Sequence, residues 1–76
     1  MQLQRLGYNQ TQINYEDGHQ VFFSYSTPVA ARTPDYKYYK TDRQWSVTTS
    51  RHINKWLDGV KATTMPQHFF DTLTSN

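Results

Sequence analysis

The stretch Tyr36–Val60, YKYYKTDRQWSVTTSRHINKWLDGV, decides the fold. Within it Ile53, Trp56, Leu57 and Val60 recur at i, i+3, i+4 and i+7. That spacing lays one apolar stripe along a helix. Ser46, Thr48 and Thr49 are candidate N-caps, because a short hydroxyl side chain can accept from a free first-turn N–H. Gly59 stands where helices commonly stop. The spacing therefore predicts a helix over 48–58. Arg51, Lys55 and Asp58 fall on the opposite face, which reads as a solvated surface with a local Lys55–Asp58 pair. Upstream, Tyr36–Thr41 reads as a strand. Tyr36, Tyr38 and Lys40 point one way, and Lys37, Tyr39 and Thr41 the other.

Toward the N-terminus the pattern is β. Ile13 and Tyr15 alternate with Gln12 and Asn14; Val21, Phe23 and Tyr25 alternate with polar neighbours, with Phe22 breaking the rule. Between them lies Glu16-Asp17-Gly18. A two-residue Asp-Gly turn would set Val21 and Phe23 opposite Asn14 and Gln12. A three-residue loop with Gly18 left-handed pairs Ile13 with Val21 and Thr11 with Phe23, which collects the apolar side chains on one face. The second register is preferred. Pro28 cannot donate to a ladder and belongs at an edge or a bulge. The strand is expected to bend at Thr27-Pro28 and continue through Val29 and Ala31. Thr33-Pro34-Asp35 reads as a turn. Residues 1–9 leave a short edge strand open, and Gly7 argues for a bend.

Toward the C-terminus, Lys61–Thr64 reads as a link. Residues 65–73 suggest a short helix capped by Thr64, with Pro66 in its first turn. Met65, Phe69, Phe70 and Leu73 give it an apolar side, and it is too short to be stable undocked. The expected fold class is α+β: a single small domain over 1–76, with an antiparallel sheet of three to four strands within 1–42. The amphipathic helix packs on the sheet and the short C-terminal helix completes the core.

Composition bounds the rest. A chain of 76 residues buries only about 60% of its unfolded surface, so its core is thin. It has no cysteine, which excludes disulfides and suits a reducing cytosol. Self-association is the remaining simple compensation, and a homo-oligomer is kept open. Only 36% of residues are hydrophobic, but four Phe, six Tyr and two Trp supply large buried areas. No apolar run is long enough for a bilayer, and MQLQRLGYNQ lacks the apolar core of a signal peptide. The protein is expected in the cytoplasm, with no membrane partner. The net charge of +2 is uneven: residues 1–31 carry −1, whereas residues 32–61 carry +4.

Basic and aromatic residues interleave in that second part. On a strand, Lys37, Tyr39 and Lys40, followed by Arg43 and Trp45, would set stacking rings beside phosphate-binding cations. Arg51 and Lys55 would extend the patch over the helix. The competing reading is a half-buried strand whose tyrosines pack inward while its lysines face water. Trp56 belongs to the core; Trp45 is expected to join it by folding over the first helical turn, with an exposed anchor beside arginine as the alternative. His19, His52 and His68 have no metal-ligand spacing. Ser50, His52 and Asp58 are triad residue types that point apart on one helix, with no nucleophile elbow. There is no glycine-rich phosphate loop. No catalytic residue, metal or cofactor is expected.

Three segments carry a resemblance: Tyr25-Ser26-Thr27-Pro28-Val29-Ala30-Ala31, Tyr38-Tyr39-Lys40-Thr41-Asp42, and Trp45 through Leu57. In order and spacing this resembles a group of small uncharacterised phage and plasmid proteins, over roughly residues 20–58. The resemblance implies a domain of unknown function from a virus or mobile element and transfers no catalytic residue. In that light Ser46, Thr48, Thr49 and His52 could present an anion site at the helix start, against the simpler reading that they cap the helix. The expected function is a small non-enzymatic binding module in the host cytoplasm. Its partner is nucleic acid, or alternatively a host or viral protein, with a homo-oligomeric structural protein as a third class.

Overall fold

The structure, a computed structural model, describes residues 1–74. The elements run β1 (Gln2–Gly7), β2 (Gln10–Asn14), β3 (Gln20–Ser24), β4 (Thr27–Arg32), β5 (Tyr38–Thr41), α1 (Val47–Leu57), β6 (Thr63–Met65) and α2 (Gln67–Thr74). The strands form one six-stranded sheet in chain order. The first five pair antiparallel, and β6 joins β5 in parallel. A parallel neighbour needs a crossover, and α1 supplies it.

The β2–β3 hairpin has the preferred register, with Ile13 opposite Val21 and Thr11 opposite Phe23. Gly18 takes a φ of 100°, which suits glycine and strains other residues. Pro28 lies beside a bulge. Phe22 faces Ala30 while Phe23 faces Pro28, leaving Val29 as the extra residue. Ser46 caps α1, its Oγ accepting from Thr49 N–H at 3.1 Å.

Several expectations are corrected. The sheet has six strands and is not confined to 1–42, because Thr63–Met65 adds an edge beyond α1. Residues 1–9, by contrast, hold the edge strand that the sequence left open, with an irregularity between Arg5 and Gly7. The chain does not bend at Thr27-Pro28 but reverses at Tyr25-Ser26, pairing Ser24 with Thr27. Tyr36 belongs to the turn after β4, with a φ of 64°, so β5 begins at Tyr38. Helix α1 spans Val47–Leu57, and Asp58 is its left-handed cap. Among the described residues no ion pair joins Lys55 to Asp58. The C-terminal helix starts at Gln67, since Met65 and Thr64 are in β6. Val60 lies past the helix and is 41% exposed.

The two helices lie on opposite faces of the sheet. Neighbouring strand residues point to opposite faces, and directly paired residues share one. Phe22 and its partner Ala30 cluster with Ile53 and Leu57 of α1. Val21 and its partner Ala31 cluster with Phe70 of α2. The result is three layers, helix–sheet–helix, with β3 and β4 buried on both sides. Trp56 stacks on Phe22 at 5.4 Å between ring centroids and donates its Nε1–H to Gln12 Oε1 at 2.7 Å. Strands β1 and β2 are less covered than β3 and β4, although Trp56 reaches Gln12 of β2. Their α1-side face carries Gln4, Gln10, Gln12 and Asn14, and the other carries Leu3, Arg5, Thr11 and Ile13.

Candidate functional site

A polar groove of about 200 Å³ runs between α1 and the β5–α1 connection. One wall is Lys40, Asp42, Arg43 and Gln44; the other is Ser50 and Asn54, with Thr41 and Ile53 beneath. Its geometry follows from how β5 ends. Lys40 alternates onto the α1 side, next to Ala30. Thr41 turns the other way and donates its hydroxyl to Gln67 Oε1 at 2.7 Å. The same hydroxyl oxygen accepts from Arg43 N–H at 3.1 Å, which fixes the start of the connection. Trp45 donates its Nε1–H to Gln67 Oε1 at 3.3 Å, and the Arg43 guanidinium lies 4.9 Å from the centre of its ring. Ser46 then opens α1, so Ser50 and Asn54 face back across the groove.

The seven residues singled out from sequence divide. Lys40 and Arg43 line this groove; Trp45 does not, but its ring lies against the Arg43 guanidinium. Arg51 is exposed on α1, directly after Ser50. The other three lie elsewhere. Tyr39 points to the α2 side and packs against Phe69 at 5.5 Å. Lys37 sits in the turn beyond β4, 3.7 Å from Asp35. Lys55 lines a separate hollow of about 310 Å³ with Leu6, Gln10, Phe22, Trp56 and Asp58. Trp45 is not folded into the core but 40% exposed. Gln67 was missed, and a lone glutamine gives no pattern that would reveal it. Ser50 and Asn54 were legible on a helical projection, one step to the side of Ile53.

The hydroxyl-rich helix start caps and packs. Ser24 is 2% exposed, and its Oγ lies 3.0 Å from Thr49 Oγ1 and 2.8 Å from His52 Nδ1. This pins α1 to β3 and turns Thr49 and His52 inward. Ser50, His52 and Asp58 are not brought together: Ser50 faces the groove, His52 faces Ser24 and Asp58 caps the helix. The backbone N–H of His19 and then its ring hold the Asp17 carboxyl below the usual carboxylate range. Among the described residues no three His, Cys, Asp or Glu side chains cluster as metal ligands. Among the described residues no helix is long and apolar enough to cross a membrane.

No curated protein and no solved structure matches the chain. A family model, that of the family of unknown function DUF8033, matches residues 1–72. The chain belongs to that family.

Proposed function

We propose that the protein is a non-enzymatic module that binds single-stranded nucleic acid along the groove between α1 and the β5–α1 connection. The observation that carries this is that Lys40 and Arg43 line one groove, the exposed Trp45 ring lies against the Arg43 guanidinium, and Arg51 is exposed on the same helix as Ser50 and Asn54. The cations would meet phosphates, and the Trp45–Arg43 pair would offer a flat surface to a base. Ser50 and Asn54 add neutral donors. Asp42 opposes a phosphate and keeps the site weakly basic, so affinity is modest. The module would act in the cytoplasm of a cell that carries a phage or plasmid, the setting suggested by the sequence resemblance.

The test is the salt dependence of oligonucleotide binding, read by fluorescence anisotropy. Three cations at the groove predict a log–log slope of about −2 for a single strand. Lys40→Ala and Arg43→Ala should each reduce the slope magnitude by about 0.7. Lys37→Ala and Lys55→Ala, away from the groove, should leave it unchanged. Equal losses from all four would mean a diffuse charge effect and no site. Absence of binding at low salt would overturn the proposal in favour of a protein partner.

A further inference from the structure

We propose that β1 is the seam of a symmetric dimer, in which two copies of this chain pair their β1 strands antiparallel with Leu3 against Leu3. The proposal is independent of the groove, because β1 lies four strands away from β5.

The two edges of the sheet differ. An open strand edge presents unpaired N–H and C=O groups and invites another strand. Strand β6 is three residues long and is followed at once by Pro66 and α2. Shortness and proline are ordinary ways of closing an edge. Strand β1 is six residues long and exposed along almost its whole length. Among the described residues nothing pairs its outer side. Its protection is one charge, Arg5, and a bulge between Arg5 and Gly7 at its far end. Residues 2–5 remain a regular strand.

The side chains specify the occupant. An added strand must set amides beside Gln4 and Asn14 on the α1 side. It must set apolar groups beside Leu3 on the other, where Leu3, Thr11, Ile13, Phe23 and Tyr25 border a hollow of about 270 Å³. Leu3 itself is 69% exposed. Gln2-Leu3-Gln4 has this amide–apolar–amide alternation, so β1 is the complement of its own edge. A surface that complements itself closes about a two-fold axis.

The same logic fixes the register. Faces match only if residues three or five, or two or four, meet residues of the same parity. Centring on Arg5 opposes two guanidinium groups, which is destabilising. Centring on Gln4 draws the bulged Leu6 into the ladder. Centring on Leu3 opposes two leucines, sets Gln2 against Gln4 of the second copy, and leaves the bulge outside. The seam is only about 20 Å long. Stable interfaces usually bury about 1,200–2,000 Å², so the dimer is weak and depends on concentration.

The absence of native cysteine makes a clean test. Leu3→Cys should form an intermolecular disulfide on mild oxidation, several-fold faster than Arg5→Cys, which is also exposed but faces Met1 of the second copy. Opposed strand residues have Cβ atoms near disulfide reach. Sedimentation of the unaltered chain from about 10 µM to about 1 mM should show mass rising with concentration. Leu3→Lys should abolish that rise while circular dichroism remains unchanged. A chain that stays monomeric at the highest concentration overturns the proposal, as does Arg5→Cys cross-linking as fast as Leu3→Cys. Oligonucleotide affinity for a short strand should not change in Leu3→Lys, which separates failure here from failure of the groove.

Discussion

Tyr25 shows how a single residue can be placed against its own preference. It occupies the first central position of the two-residue β3–β4 turn with a φ of 59° and is 51% exposed. Glycine is the ordinary occupant of such a position. A side chain there costs about 1–2 kcal/mol. Replacing it with glycine returns roughly 0.5–1 kcal/mol of that through the more flexible unfolded chain. Tyr25→Gly should therefore stabilise the protein by about 0.5–1 kcal/mol, raising the melting temperature by about 3–6 °C. Calorimetry would check this; a fall instead would show that the contact between Tyr25 and the His52 ring, 6.0 Å apart, outweighs the strain. Gln67 is a residue of another kind. It accepts from Thr41 and Trp45 and donates to the Pro28 carbonyl and to Asp71, tying β4, β5 and α2 to the groove. Neither role is legible in the sequence. A turn tyrosine looks like any strand tyrosine, and a hydrogen-bond hub exists only after distant segments meet.

At the scale of elements, β3 explains both what the sequence disclosed and what it concealed. The alternation of Val21, Phe23 and Ile13 sufficed for the hairpin register. Phe22 seemed to spoil that alternation, yet it is 0% exposed and meets α1, while Val21 meets α2. Consecutive apolar residues signal a strand covered on both faces, and Val29-Ala30-Ala31 on β4 repeats the signal. The three layers were thus written in the sequence as an exception to the expected period. Strand β6 was not: Thr63-Thr64-Met65 is too short to show any period, and it is a strand because β5 lies beside it. The layering carries a prediction. Phe70 anchors α2 and Leu57 anchors α1, each on one face of the same two strands. Phe70→Ala should cost about 3–5 kcal/mol and Leu57→Ala about 2–5 kcal/mol. A domain of this size has only about 4–11 kcal/mol in total, so both changes bring it near unfolding. Urea melts followed by circular dichroism and by tryptophan fluorescence should coincide in both variants. Separate transitions in Phe70→Ala would mean that the α2 layer melts by itself and that the shared strands do not couple the faces.

For the whole molecule, the two proposals meet in one geometric consequence. Charge pattern exposed the basic half of the chain from sequence, but not its division, since Tyr39 and Lys37 leave the groove only because β5 alternates and begins at Tyr38. What remains, Lys40 on β5 with Arg43 and Trp45 in the connection that follows it, lies four strands from the β1 edge. Joining two sheets at β1 would therefore set the grooves nine strand spacings apart, about 40 Å at about 4.8 Å per strand. A short strand can fill one groove; a long one can reach both, and the second contact then benefits from a high effective concentration. Binding should strengthen steeply between oligonucleotides of about 8 and about 40 nucleotides at protein concentrations where the dimer is populated. In Leu3→Lys the gain should shrink to the statistical factor expected for more sites on a longer strand, with affinity for the short strand unaltered. In Arg43→Ala both lengths should weaken together. If length dependence survives Leu3→Lys in full, the long strand is contacting a continuous surface of one copy, and the two grooves are not being bridged across the β1 seam.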